Sequence, residues 1–116
     1  MEIVTTTHNP TGAELIAAER ARQVSGEGYT AEHDKGHVLE LIRAANCYTQ
    51  YVVVQGQNPF MAPELFGHPA DLYSNGNPLW PWGRDDWKPG EAKRDLIKAG
   101  ALLAAALDAM IAEEDK

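Results

Sequence analysis

Cys47 is the chain's single cysteine. This excludes an internal disulfide and a cysteine-built zinc ribbon. Basic residues are scarce as well: 10 Lys and Arg stand against 17 Asp and Glu, a formal net charge of −7 over 116 residues. Nucleic-acid binding is driven largely by Lys and Arg neutralising phosphates, so no general attraction for DNA or RNA is expected. Long hydrophobic runs are missing too. The most apolar stretch, AGALLAAALDAMIA, is broken by Asp108 and falls short of the ~20 residues that span a bilayer. The opening MEIVTTTHNPTG has neither a basic segment nor an apolar one of the secretory kind. A cytoplasmic protein with no membrane association is therefore expected. GQNPFMAPELFG lacks Walker or dinucleotide glycine spacing, so no glycine-rich phosphate loop is present.

What is present reads as helix. A chain of this length forms one domain. Thr11 followed by Glu14 is a capping box, and Leu15, Ile16 and Ala18 lead on to Val24 with AERARQ on the wetter side; Gly26 and Gly28 end this helix. A second helix is predicted from about Gly36 to Val54, where Val38, Leu41, Ile42, Ala45, Tyr48 and Val52 recur at three and four. Its end, YVVVQ, is β-branched and reads as helix or short strand. From Gln55 to Pro89 the periodicity stops. Six of the seven prolines fall there, yet so do Phe60, Phe66, Tyr73, Trp80, Trp82 and Trp87. So many aromatics argue for a packed loop rather than a solvated linker, with MAPELF as one helical turn. Pro89 opens the last helix, whose stripe is Leu96, Gly100, Leu103, Leu107 and Met110, widened by Ile97, Ala101 and Ala104. The expectation is an all-α fold of three main helices in a single domain over residues 1–116. Its core covers about 11–112, and the long Pro- and aromatic-rich loop 55–89 joins the second helix to the third.

Two stretches carry candidate chemistry. In GEGYTAEHDKGHVLE, residues 26–40, His33, His37 and Glu40 are spaced for one helix face, an acceptable set of two nitrogens and a carboxylate. The HExxH order is absent, Gly36 interrupts the turn, and acids suit a helix start in any case. The stretch therefore reads first as the acidic beginning of the second helix, and no metal site is predicted. In WPWGRDDWKPGEAKRD three tryptophans make an aromatic corner beside Arg84, Lys88, Lys93, Arg94 and Lys98. Aromatic planes next to Arg and Lys hold anionic rings by stacking and charge. Cys47 lies on the apolar face of the second helix and reads as a buried, inert thiol.

The blocks AERARQVSGEGYTAEHD, AANCY, WPW, WKP and RDLIKAGALLAAALD resemble, in that order, a family of small phage and prophage proteins. They are also similar to the tail region of accessory early proteins of lambdoid phages. That resemblance implies a phage or prophage origin and the cytoplasm of a bacterial host. ERARQ, EGYT, HDKGH and DLIKAGALL are similar in order to the RyR domain, which implies a ligand-binding or interaction module rather than an enzyme. Relative to that pattern, Gln55 to Asn77 is an insertion, and the usual tyrosine–glycine after the threonine is missing.

The leading expectation is a non-catalytic binding module for a nucleotide-like or other anionic small molecule, without a cofactor. Tyr29, His33, Trp80, Trp82 and Trp87 are expected to wall its pocket, and Arg94 and Lys98 to face the anion. One alternative is an all-α nucleotide pyrophosphohydrolase holding Mg²⁺ through Glu19, Glu32, Asp34, Glu40 and Asp95, although its ExxE and ExxD signatures are absent. Another is an accessory protein that docks a host partner. A homodimer through the small-residue face around Gly100 is also expected.

Overall fold

Four α-helices account for most of the chain in the computed structural model, which describes residues 9–58, 60 and 66–114. They are α1 (Gly12–Glu27), α2 (Ala31–Asp34), α3 (Val38–Gln57) and α4 (Ala92–Glu114). Three are long, and the fold is mainly helical. α4 is central: it packs most extensively on α3, then on α1, then on α2.

α1 starts as its sequence dictates. Thr11 Oγ1 accepts from the Glu14 amide (3.2 Å) while Glu14 Oε1 accepts from the Thr11 amide (2.8 Å), so two orphan donors are satisfied reciprocally. Its end differs from expectation. Gly26 stays inside the helix, and Gly28 alone closes it in the left-handed region at φ 74°, where a side chain would be strained. The chain then turns straight into α2, with Thr30 Oγ1 accepting from the His33 amide (3.1 Å).

The expected start of α3 at Gly36 is displaced to Val38. Gly36 has φ 81° and Lys35 is extended, so α2 cannot run on into α3 and His33 and His37 do not share one helix. At the other end YVVVQ is helical through Gln57. MAPELF falls largely outside the described residues.

The loop is packed through Phe66, Trp80, Trp82 and Trp87, whereas Phe60 and Tyr73, expected to pack with them, are exposed. Pro69–Asp71 and Arg84–Asp86 form 3₁₀ turns. His68 joins them: its Nδ1 accepts from the Ala70 amide (3.0 Å) and its Nε2 donates to the Arg84 carbonyl (2.8 Å). Between the turns, β1 (Tyr73–Ser74) pairs antiparallel with β2 (Asn77–Pro78). Asn75 and Gly76 both have positive φ, the requirement of a tight two-residue hairpin turn. The Asn-Gly dipeptide signals this hairpin in the sequence, but at two residues each the strands are too short to show a period. Pro89 is not the first residue of the last helix. α4 begins at Ala92, and the buried Asp95 carboxylate accepts from the Gly90 amide (2.9 and 3.1 Å) ahead of it.

The core forms where α3, α4 and the loop meet, from Leu41, Tyr48, Trp80, Leu102 and a set of alanines. Of the expected α3 stripe Leu41, Ala45 and Tyr48 are buried and Val38, Ile42 and Val52 only partly so, while Ala44, Cys47 and Tyr51 are buried beside them. α4 does the reverse of what its leucines predict. Its buried positions are Asp95, Ala99, Ala101, Leu102, Ala105, Ala106 and Ala109, while Leu96, Leu103, Leu107, Met110 and Ile111 are 42–59% exposed. The physical reason is volume. Indole and phenol rings from the loop and α3 fill the core, leaving space beside the α4 backbone only for methyl groups. Gly100 faces α1 at close range, since a Cβ there would come within 2.5 Å of Ile16 Cδ1. The surface expected to serve as a dimer interface is covered at that point by the chain's own first helix.

Candidate functional site

Arg20 sets the turn that carries Tyr29. Its Nη1 donates to the Tyr29 carbonyl (2.5 Å), and its other nitrogens meet Asp108 of α4 at 3.1 Å. Arg20 is therefore a structural staple rather than a solvated face. Fixed in this way, the Tyr29 ring lies 6.3 Å from Trp82 and 5.9 Å from His33, so the acidic stretch and the tryptophan loop do meet.

Between them opens a cavity of about 790 Å³, within the range typical of small-molecule sites. Six of the seven residues expected to bind ligand line it: Tyr29, His33, Trp80, Trp82, Arg94 and Lys98. Trp87 does not. It sits behind the cavity wall, 4.8 Å from Tyr48, 5.1 Å from Trp80 and 6.0 Å from Tyr51, stacked on Phe66, because a tryptophan flanked by four other aromatics is worth more to the core than to a rim. Trp80 itself is nearly all core, 2% exposed, with Nε1 donating to the Gly83 carbonyl (2.9 Å).

The α1 wall was not expected. Glu19 is buried and accepts from Arg22 Nε (3.0 Å) and Nη2 (2.8 Å), from Arg94 Nη2 (2.7 Å) and from Gln23 Nε2 (3.3 Å). Arg22's hydrogen bonds do most to hold its carboxyl at about 2, against the opposing effect of burial, with Arg94 adding to the shift. Arg22, Gln23, Lys88 and Asp86 also line the cavity. The spacing of Glu19, Arg22 and Gln23 at i, i+3 and i+4 was the available signal; on a helix with little apolar contrast it looked like surface. Four of the protein's 10 Lys and Arg thus surround one cavity of an acidic molecule.

His33 Nδ1 is 2.9 Å from Asp34 Oδ1, and Asp34 is 2% exposed. Donation to this carboxylate orients the ring and leaves Nε2 as the other nitrogen. Asp34 Oδ2 has no hydrogen-bond partner among the described residues. Burial pushes the Tyr48 hydroxyl up to about 12 and the Tyr29 hydroxyl above its ordinary value, the latter with help from Glu27, Asp86 and Asp34. Cys47 is away from the cavity, its thiol donating to the Leu79 carbonyl (3.3 Å) and pushed up to about 11 by burial.

The five carboxylates of the magnesium alternative are not brought together. Glu19 is held by the two arginines, Glu32 by Lys35, Asp34 by His33, Glu40 by His37 and Asp95 by the Gly90 amide. Among the described residues no three His, Cys, Asp or Glu side chains are grouped closely enough to hold a metal ion, and no helix is long and apolar enough to cross a membrane. Comparison with known proteins returns no match: no family model, no curated protein and no solved structure is similar to this chain.

Proposed function

We propose that this chain is a binding module for a small molecule that combines an aromatic ring with an anionic group, a nucleotide being the nearest common class. The observation that carries this reading is that Tyr29, Trp82, Arg94 and Lys98 line one cavity. The rings offer flat apolar faces, and the cations offer charge-assisted hydrogen bonds to phosphate. Glu19 occupies one N–H of Arg94, and Lys98 Nζ donates to the Lys88 carbonyl (3.1 Å) while lying 5.4 Å from the Tyr48 ring centre. Both cations are therefore held in place before a ligand arrives, which lowers the entropy cost of binding. The resemblance to prophage proteins supports a bacterial cytoplasmic setting.

The test is a thermal-shift and calorimetric titration with nucleoside phosphates, with and without Mg²⁺ or Mn²⁺. Stabilisation without turnover is expected. Lys98→Met should weaken binding about 10- to 100-fold, the value of one hydrogen bond to a charged group, while leaving the fold intact. Release of phosphate or pyrophosphate would favour the phosphohydrolase, and no response to any nucleotide would sink the binding reading.

A second, compatible reading is favoured by the outer face of α4. Leu96, Leu103 and Met110 recur every seven residues, with Leu107 between them, all substantially exposed. That is a seam suited to another helix, and we propose a second copy of the chain as its occupant. Analytical ultracentrifugation should give twice the mass of the chain for the wild type and the monomer mass for Leu103→Glu/Leu107→Glu.

A further inference from the structure

A second cavity, of about 530 Å³, opens between α3 and the loop and shares no described lining residue with the first. Arg43 and Cys47, one helical turn apart on α3, line it together with Phe66, Pro69, Leu72 and Leu79 from the loop. Loop and helix are tied at two points: Arg43 Nη2 donates to the Pro78 carbonyl, and the Cys47 thiol donates to the Leu79 carbonyl (3.3 Å). Within the loop the Leu72 carbonyl accepts from the Leu79 amide (2.7 Å), and the Pro69 carbonyl accepts from the Leu72 amide (3.3 Å). The walls are therefore set before any ligand arrives.

This is an acidic molecule, yet among the described residues no Asp or Glu lines the second cavity or pairs with Arg43. Asp71, next to Leu72 in the chain, is taken by Arg84 at 2.6 and 2.8 Å. The guanidinium charge reaches the cavity wall: burial raises the Cys47 thiol to about 11, and Arg43 pulls it the other way. The remaining described lining groups are apolar, amide or hydroxyl side chains.

One guanidinium among apolar walls selects for charge and for apolar surface at once. A single cation balances a single negative charge, whereas the second charge of a phosphate monoester would stay uncompensated beside apolar surface, which is costly. The planar guanidinium fork also matches a carboxylate. We infer that this cavity is a second binding site, for a small organic acid with an apolar body, its carboxylate at Arg43 and its body against Phe66, Leu72 and Leu79. The inference does not depend on the ligand proposed for the first cavity.

Octanoate, 1-octanol and octylamine share one chain and differ at the head, so together they separate charge from apolar burial. A two-dimensional ¹H–¹⁵N NMR titration of the full chain reads affinity and place at once. Octanoate is expected to move the amide signals of Cys47, Leu72 and Leu79 and to bind at least about tenfold more tightly than octanol, with octylamine weaker still. Arg43→Met should bring octanoate down to the level of octanol. Because Arg43 also holds the Pro78 carbonyl, a second variant separates charge from loop structure. Leu72→Glu, at a position 42% exposed, leaves that bond in place, adds a negative charge to the cavity and should weaken octanoate about tenfold. Octanoate that leaves these signals unmoved, octanol that binds as tightly, or a folded variant of either kind that keeps the wild-type affinity for octanoate overturns the inference.

Discussion

Trp80→Ala is expected to destabilise the protein by about 3–5 kcal/mol, the usual cost of emptying a large aromatic site in a core. Its melting temperature should fall by on the order of 10–20 °C. The ring is 2% exposed and makes edge contacts with Tyr48 (5.7 Å) and Trp82 (5.4 Å) and a steep contact with Trp87 (5.1 Å). It therefore joins α3 to the loop at one point. Aromatic pairs of this geometry add about 0.5–1.5 kcal/mol each beyond area burial. The surrounding rings are too rigid to collapse into the space, which puts the cost toward the upper end. A single domain is stable by only about 5–15 kcal/mol, so the loss is a large share of the total. Trp80→Phe separates packing from hydrogen bonding: it keeps a ring and gives up the bond to the Gly83 carbonyl, and should cost about 1–2 kcal/mol. Urea denaturation measures both. A Trp80→Ala variant within 1 kcal/mol of the wild type would show that the loop is not part of the core.

The second large effect belongs to Glu19 and depends on pH. Its carboxyl is held at about 2 against an ordinary value of 4.5. A folded-state value lowered in this way adds stability in full above about pH 4.5 and loses it as pH falls toward 2, because the unfolded chain takes up the proton first. The difference corresponds to about 3 kcal/mol. Arg22 and Arg94 remain about half exposed, so water screens part of the attraction and the realised value should sit at or below that figure. Asp95 acts in the opposite sense. Burial raises its carboxyl, with the Gly90 amide opposing, so its protonation on acidification relieves a cost and offsets some of the loss. Glu19→Gln should be less stable than the wild type by about 2–3 kcal/mol at pH 7, and the gap should narrow to below about 1 kcal/mol by about pH 2.5. Parallel stability profiles between pH 6 and 2.5 would exclude this role for Glu19.

Local signals were legible wherever the determining atoms are near in sequence. The Thr11–Glu14 box, the α3 stripe through Leu41, Ala45 and Tyr48, and the packed nature of a loop with three tryptophans all follow from short-range chemistry. Gly36 interrupts the histidine series because a positive-φ glycine resets the helix phase, and this too is written locally. The outcome for α4 is not. Whether its leucines or its alanines turn inward depends on how much volume Trp80, Trp87 and Tyr48 already occupy, and the rings come from other elements. The α1 wall was hidden for the same reason. A helix that buries Glu19 and Gln23 shows no apolar face, and its inward side is defined only once Arg94 arrives from α4 to neutralise the carboxylate.

Composition, the capping box that opens α1 and the residue types able to hold a ring and an anion were determined by the sequence alone. The tertiary structure decided which of them come together: Tyr29 against His33 and Trp82, with Trp80, Arg94 and Lys98 lining the same cavity, while Trp87 went to the core. Propensity and capping act over a few bonds and are encoded in neighbours. A pocket is a set of distances between segments about fifty residues or more apart, and those distances exist only after close packing has settled which side chains fill the interior.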